Sequence, residues 1–514
     1  MKKSFIQKLM VTCVVTFCFF GVTFAQMHIT DRTGLENIKN DLGGSYVLDN
    51  DINLSESNWV PLGNFTGTLD GAGHVIFGLT INKSETAAFF STISGTAVIK
   101  KLGFEYASVI DATGSRTAVI TGFLEGNAVI ENCYIANSTI GGRWCVGSFV
   151  GRARNITDNG NAAIRNCYSS ANIYIHDYIG GAGQCGGIIG SIYDGNKMIV
   201  ENCYFSGIIQ RILGNNGEGQ VCGIVGWIGK DNAQTIDSYI VRNNVNLAPY
   251  LLSNYGKHRI SSTRSDEVAV NDPTPGPNYS LSTTVVSSYN AWTDYNAIIA
   301  TDGAQYGSAK KDGENIPDGD ANAKVKNFYE TTLGWDFDTV WTIDEGNSYP
   351  VFEWENDVPH FVVANPKIDL TVSAPVNLSK CIFSGRGFPL TFSTTSNKIA
   401  LEGGVVSITQ SIPEEEIVVV SVQEGSLTPA YSLQITLKPA TITNIQTENA
   451  PAVSIISAEG RIQAAFKGAT NVKLQSVAGA LIDETMANGV YNYKAQQGIY
   501  ILTVGDKSYK VIVR

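Results

Sequence analysis

Three copies of one triplet, Asn132-Cys133-Tyr134, Asn166-Cys167-Tyr168 and Asn202-Cys203-Tyr204, are the residues here most suggestive of chemistry. Thiols recurring at such a spacing serve as metal ligands, as disulfide partners, or as equivalent small apolar residues in a repeated fold. Zinc sites use close Cys-x(2–4)-Cys or His pairs. None occurs, and His28, His74, His176, His258 and His360 are scattered without ligand spacing, so no metal and no cofactor is expected. Seven cysteines follow the first 25 residues, an odd number that forbids complete internal pairing. In a parallel stack the Cβ vectors point the same way, which suits disulfide geometry poorly. One Cys133–Cys167 or Cys167–Cys203 bond stays open for an exported chain.

Carboxylates are the other candidates. Glycosidases need two flanking the scissile bond, and lyases need a base near calcium-binding acids. One column reads Lys100, Glu131, Arg165, Glu201 and Asp237. Its first four members alternate in sign, the pattern of a solvated ion-pair face. Glu201 and Asp237 form the one stacked acid pair. The solvated face is the preferred reading, and no catalytic residue is assigned.

These residues sit in repeating segments. Six align on Ile76, Ile99, Ile130, Ile164, Val200 and Ile236. Three residues later come Leu79, Leu102, Cys133, Cys167, Cys203 and Tyr239. A small-apolar-apolar-small motif follows in the first five, as in Ser148-Phe149-Val150-Gly151 and Gly187-Ile188-Ile189-Gly190. Short β segments recurring with variable loops describe a solenoid, with equivalent residues about 4.8 Å apart on successive coils. Cysteine then shares an interior column with leucine, as a small buried hydrophobe.

Inward residues three apart need a bend between them, because a flat strand puts i and i+2 on one face. Asn132, Asn166 and Asn202 occupy that bend, with Ser238 next. Asparagine tolerates the left-handed region, so a short asparagine ladder is expected. Tyr134, Tyr168 and Tyr204 would face outward. With Trp144 they are the candidate ligand-contacting residues, a strip for stacking on sugar rings, unless they serve only as cross-strand packing.

Residues 1–25 have a basic start, an apolar stretch and a small-residue exit at Ala25, the layout of a signal peptide. No later apolar run is long enough to span a membrane. The net charge of −11 becomes more acidic once Lys2, Lys3 and Lys8 are removed. That excludes nucleic acid and anionic membranes as general partners.

"CGGIIGSI" and "CGIVGWIG", each near an "NCY" triplet, resemble the GLUG repeats of bacterial surface β-helix proteins. "YVLDNDINLSESNWVPLGNFTGTLDGAGHVIFGLTI" and "LGWDFDTVWTIDEGNSYPVFEW" resemble the segments that open and close those helices. The final "VKLQSVAGALIDETMANGVYNYKAQQGIYILTVGDKSYKVIVR" resembles the C-terminal sorting domains of Bacteroidota exported proteins, including type IX secretion cargo.

The expected fold is all-β, a right-handed parallel β-helix followed by two small β-sandwich domains. Residues 26–73 are assigned to an N-terminal cap, with Trp59 and Pro61 over the first coil. The β-helix and its C-terminal cap take 74–358, an immunoglobulin-like sandwich 359–441, and a sorting or anchoring β domain 442–514. The resemblance implies an exported, non-catalytic surface or secreted protein, an adhesin or a binder of glycans or host surface proteins. Its C-terminal domain would engage export machinery. The alternative is a β-helix polysaccharide lyase or glycoside hydrolase.

Overall fold

A computed structural model describes residues 26–82, 86–111, 114–156, 162–175, 183–193, 198–211, 219–229, 240–253, 257–263, 277–287, 312–372, 374–439, 453–458 and 460–513. Residues 1–25, which carry the expected signal peptide, together with His176 and Asp237, lie outside these residues.

The chain forms a right-handed parallel β-helix with four faces. One circuit shows the pattern. Val129–Glu131 and Tyr134–Ala136 lie on face one, Thr139–Gly142 on face two, Cys145–Gly147 on face three and Val150–Ile156 on face four. Each strand pairs in parallel with its counterparts on the coils before and after, as Val129 does with Val98 and Ala163. Such crossovers are right-handed for twisted strands.

Coiling begins inside the segment expected as a cap, since Met27–Ile29 pairs in parallel with Ser45–Leu48, which pairs with Thr68–Phe77. It continues to Glu314–Asn315, parallel to Tyr279–Ser280. Trp59 does cover an early coil, stacking 4.6 Å from Phe89 and donating its indole N–H to the Phe89 carbonyl.

Leu69, Ile99, Ile130, Ile164, Val200 and Val241 form the innermost column, all fully buried. The expected alignment is correct for the middle coils and corrected at both ends. Ile76 pairs with Phe104 because the ladder slips between Asp70 and His74. Val241 takes the place expected for Ile236, and Asn243 that of Ser238, because the segment ahead of Ile240 is longer than its counterparts.

The small-apolar-apolar-small motif marks the corner between faces three and four. Its middle residues Phe149, Ile188 and Ile224 fill the core. The closing glycines sit against the backbone of the preceding coil. A Cβ on Gly190 would fall 2.6 Å from the Val146 nitrogen, and one on Gly226 2.5 Å from the Cys185 carbonyl carbon.

After the solenoid, Phe361–Val363 pairs with Ile382–Ser384, and a four-stranded and a three-stranded sheet enclose one core of Ile368, Val406, Val420 and Ile435. This unit docks on face two. Asn137 donates to the Pro359 carbonyl and accepts from Phe361 N–H, at 2.9 and 2.8 Å. Ile208, Tyr250 and Leu252 pack against Val362 and Ala364.

Residues 453–513 form a five-stranded antiparallel sheet. Its long hairpin, Arg461–Ser476 with Leu481–Lys494, has left-handed glycines at Gly468 and Gly489. Gly498–Val504 and Lys507–Val513 pair around Gly505-Asp506, the turn this dipeptide favours.

Candidate functional site

Among the described residues no group of three or more His, Cys, Asp or Glu is placed to hold a metal ion. None of the seven described cysteines is in a disulfide, and all are buried. Their place in the column explains their chemistry. The Cys133, Cys167 and Cys203 thiols lie 3.2, 3.2 and 3.1 Å from the carbonyls of Glu131, Arg165 and Glu201, at the bend. Cys203 also faces the Ile164 carbonyl one coil below. Asn244 and Asn278 follow in the same column, and their amides donate to Val200 and Val241 carbonyls at 2.8 and 2.7 Å. The column therefore supplies donors to bend carbonyls. Burial pushes the Cys133 and Cys167 thiols well above the ordinary range, keeping them protonated and unreactive.

At that bend Asn132, Asn166, Asn202 and Asn243 all have φ between 50° and 55°. Asn202 Nδ2 donates to Asn166 Oδ1 at 3.2 Å, one rung of the ladder.

The tyrosine column requires a correction. Tyr134, Tyr168 and Tyr204 stack as expected, with ring centroids 5.4 and 4.7 Å apart and planes within 8°. They point out from face one, yet none is exposed to solvent. The chain after the last coil returns along the side of the solenoid and lays Trp335, Trp341, Phe352 and Trp354 over them. These tryptophans, expected at the end of the helix, form a side cover. A sugar-stacking strip is thereby ruled out at these three rings. The available signal was the aromatic density of residues 328–354, which demands an apolar face to cover.

Beneath that cover the hydroxyls are satisfied. Tyr134 donates to Glu105 and Tyr168 to Glu355, both at 2.6 Å, and Tyr204 to the Pro350 carbonyl at 2.7 Å. His360, fully buried, sits 3.9 and 3.7 Å from the two carboxylates. Arg386 donates to the Val358 carbonyl and Ser384 to Glu424. Burial pushes Glu355 and Glu424 up to about 7, with Arg386 opposing. Burial holds His360 well below its ordinary value. Being enclosed, this cluster ties solenoid, cover and second unit together.

The charged column is more regular than expected. It reads Asp70, Lys100, Glu131, Arg165, Glu201 and Arg242, alternating through six coils. Arg165 bonds Glu131 at 2.8 Å and Arg242 bonds Glu201 at 2.7 Å. The position opposite Glu201, assigned in sequence to Asp237, belongs to Arg242, so the stacked acid pair is not formed there.

Trp144 lies elsewhere, half-buried between Cys145 and Arg143, with the Arg116 guanidinium 4.8 Å from its ring centroid.

Among the described residues, one concave site joins three elements: the late coils of faces one and two, the cover, and the second unit. It is a groove of about 680 Å³. Aromatic rings Tyr250, Tyr349, Phe383, Phe388 and Phe392 line it, with Ser282, Thr283 and Ser379 at hand. Asp320 anchors one wall, accepting from Tyr349 at 2.7 Å and pairing with Lys324 at 2.9 Å. A concave, largely apolar site with a few convergent polar groups at a junction of structural units is suited to ligand binding. Sequence reasoning missed it because its walls come from separate segments between Ser206 and Phe392, and the Tyr250 bond to the Lys380 carbonyl alone spans 130 residues.

Residues 142–174 match the family model of the GLUG motif. The span is one circuit of the solenoid, from Gly142 to Tyr174, which pairs with Gly141 one coil earlier. No curated protein matches the chain.

Proposed function

We propose that this is an exported, non-catalytic surface or secreted protein whose β-helix presents a glycan-binding groove. The observation that carries the reading is the junction groove. Its aromatic walls suit the apolar faces of sugar rings, while hydroxyls and the Asp320–Lys324 pair suit sugar hydroxyls. Four acids along the described coils are held by cations, Asp70 by Lys100, Glu125 by Arg154, Glu131 by Arg165 and Glu201 by Arg242, which favours binding over hydrolysis. Export rests on the layout of residues 1–25 and on the resemblance of the C-terminal sheet to sorting domains. Attachment or release would then be decided by the export machinery acting on that sheet.

The test is a glycan array run beside a depolymerisation screen. Binding without cleavage, lost in Tyr250→Ala and Phe388→Ala, is the expected result. Release of reducing or unsaturated sugar would overturn the non-catalytic reading, and an array negative for all glycans would overturn the glycan reading.

A further inference from the structure

One wall of the junction groove is fastened to solenoid, cover and second unit at once. Ser384, Gly387 and Phe388 line the groove there. Ser206 of the solenoid donates its hydroxyl to the Gly385 carbonyl at 2.6 Å. Tyr349 of the cover donates its amide to the Arg386 carbonyl, and the Gly385 amide donates to the His360 carbonyl, both at 2.6 Å. The His360 amide in turn donates to Glu424 at 2.5 Å, and Ser384 donates its hydroxyl to the same carboxyl group.

Behind this wall lie three carboxyl side chains removed from water: Glu105 of the solenoid, Glu355 of the cover and Glu424 of the second unit. Among the described residues no lysine or arginine forms an ion pair with any of them. Arg386, also buried, instead reaches Asp357 at 3.5 Å and the Val358 carbonyl at 3.0 Å. His360 adds no charge, since burial holds it neutral and neither ring nitrogen is hydrogen-bonded. Tyr134, Tyr168 and Tyr204 face the cluster from the solenoid and Tyr349 from the cover, all kept neutral by burial. Asp51, from an early coil, adds to the rise that burial causes at Glu105. With every carboxyl ionised, three negative charges would share one guanidinium in an enclosed space. An unpaired carboxylate is costly enough there that it takes up a proton instead.

We propose that the groove is gated by pH: protonated Glu355 and Glu424 keep the 384–388 wall seated on solenoid and cover, and their ionisation lets it come away. This regulation rests on the groove being the ligand site. Burial holds both carboxyls protonated up to about 7 in the seated wall, whereas carboxyls in water ionise at about 4. Seating is therefore fully favoured below the ordinary carboxylate range and loses that advantage as pH rises to about 7. Within that interval each pH unit weakens seating by up to about tenfold per carboxyl. The groove is complete in mildly acidic surroundings and loosened at neutral pH and above.

Hydrogen exchange of the full chain at pH 5 and pH 8, corrected for the intrinsic rate, tests the gate. The Gly385 and Tyr349 amides should lose about tenfold or more of their protection at pH 8. The Ile188 amide, bonded to the Ile224 carbonyl in the solenoid core, should keep its protection, which separates release of the wall from general destabilisation. In a Glu355→Gln/Glu424→Gln variant the two wall amides should be equally protected at both pH values. Unchanged wall protection in the parent, an equal loss at Ile188, or a folded variant that keeps the pH dependence would overturn the gate. The parent profile decides even where the variant does not fold. The glycan array, run at both pH values, keeps the two claims apart. Responsive exchange beside an empty array supports the gate and removes the glycan, whereas a positive array beside unresponsive exchange removes the gate and leaves glycan binding standing.

Discussion

Replacing Asn166 by alanine separates two contributions to the solenoid corner. Its φ of 50° lies in the left-handed region, which costs most non-glycine residues about 1–2 kcal/mol and asparagine less. Its Oδ1 also accepts the ladder bond from Asn202. Losing that bond costs about 0.5–1.5 kcal/mol. Asn166→Ala should therefore destabilise the solenoid by roughly 1.5–3 kcal/mol. Asn166→Gly restores the backbone freedom but not the bond. It adds an unfolded-state entropy cost of about 0.4–1 kcal/mol, so it should cost roughly 1–2 kcal/mol. Urea unfolding followed by tryptophan fluorescence reads the difference, because Trp335 and Trp341 pack on the tyrosine column. Alanine should shift the midpoint further than glycine. Equal shifts, or an alanine variant indistinguishable from the parent, would refute the strained-corner argument.

Native protein treated with a thiol reagent should leave Cys133 and Cys167 unmodified until denaturant is added, since both are wholly buried and held protonated; modification in the native state would contradict their interior position. Glu355 is held near 7, so the folded protein keeps a proton that the unfolded chain releases earlier. The stability due to that proton is complete below the ordinary carboxylate range and is lost as pH rises toward 7. Thermal unfolding between pH 5 and 8 should therefore lose this slope in Glu355→Gln, and identical pH profiles would count against it. Asn137→Ala removes both bonds to the Pro359–Phe361 backbone and should speed proteolysis between solenoid and second unit; an unchanged rate would show that those bonds do not hold the junction.

What the sequence made legible was periodic. The Ile and Cys columns and the asparagine corner repeat a pattern at fixed offsets, and each offset has one steric meaning on a coil. Register at the ends was less legible. The slip between Asp70 and His74 and the longer segment before Ile240 break the period without altering composition. Least legible was what covers the outside. Tyr134 obeys strand alternation, and only the return of Trp335 to Trp354 decides that its outward side is dry. For the same reason the alternation of Asp70 through Arg242 was seen in part, and the groove not at all. A site built from Tyr250, Lys324 and Phe388 has no local signature, because no two of its walls are neighbours in the chain.

The groove is tested most directly by a crystal of the intact protein soaked with an oligosaccharide that binds on the array. An uncleaved sugar is expected between Tyr250, Phe388 and the Asp320–Lys324 pair, with its ring faces on the aromatic walls. A groove left vacant while sugar occupies another face, or a cleaved product within it, would contradict the account.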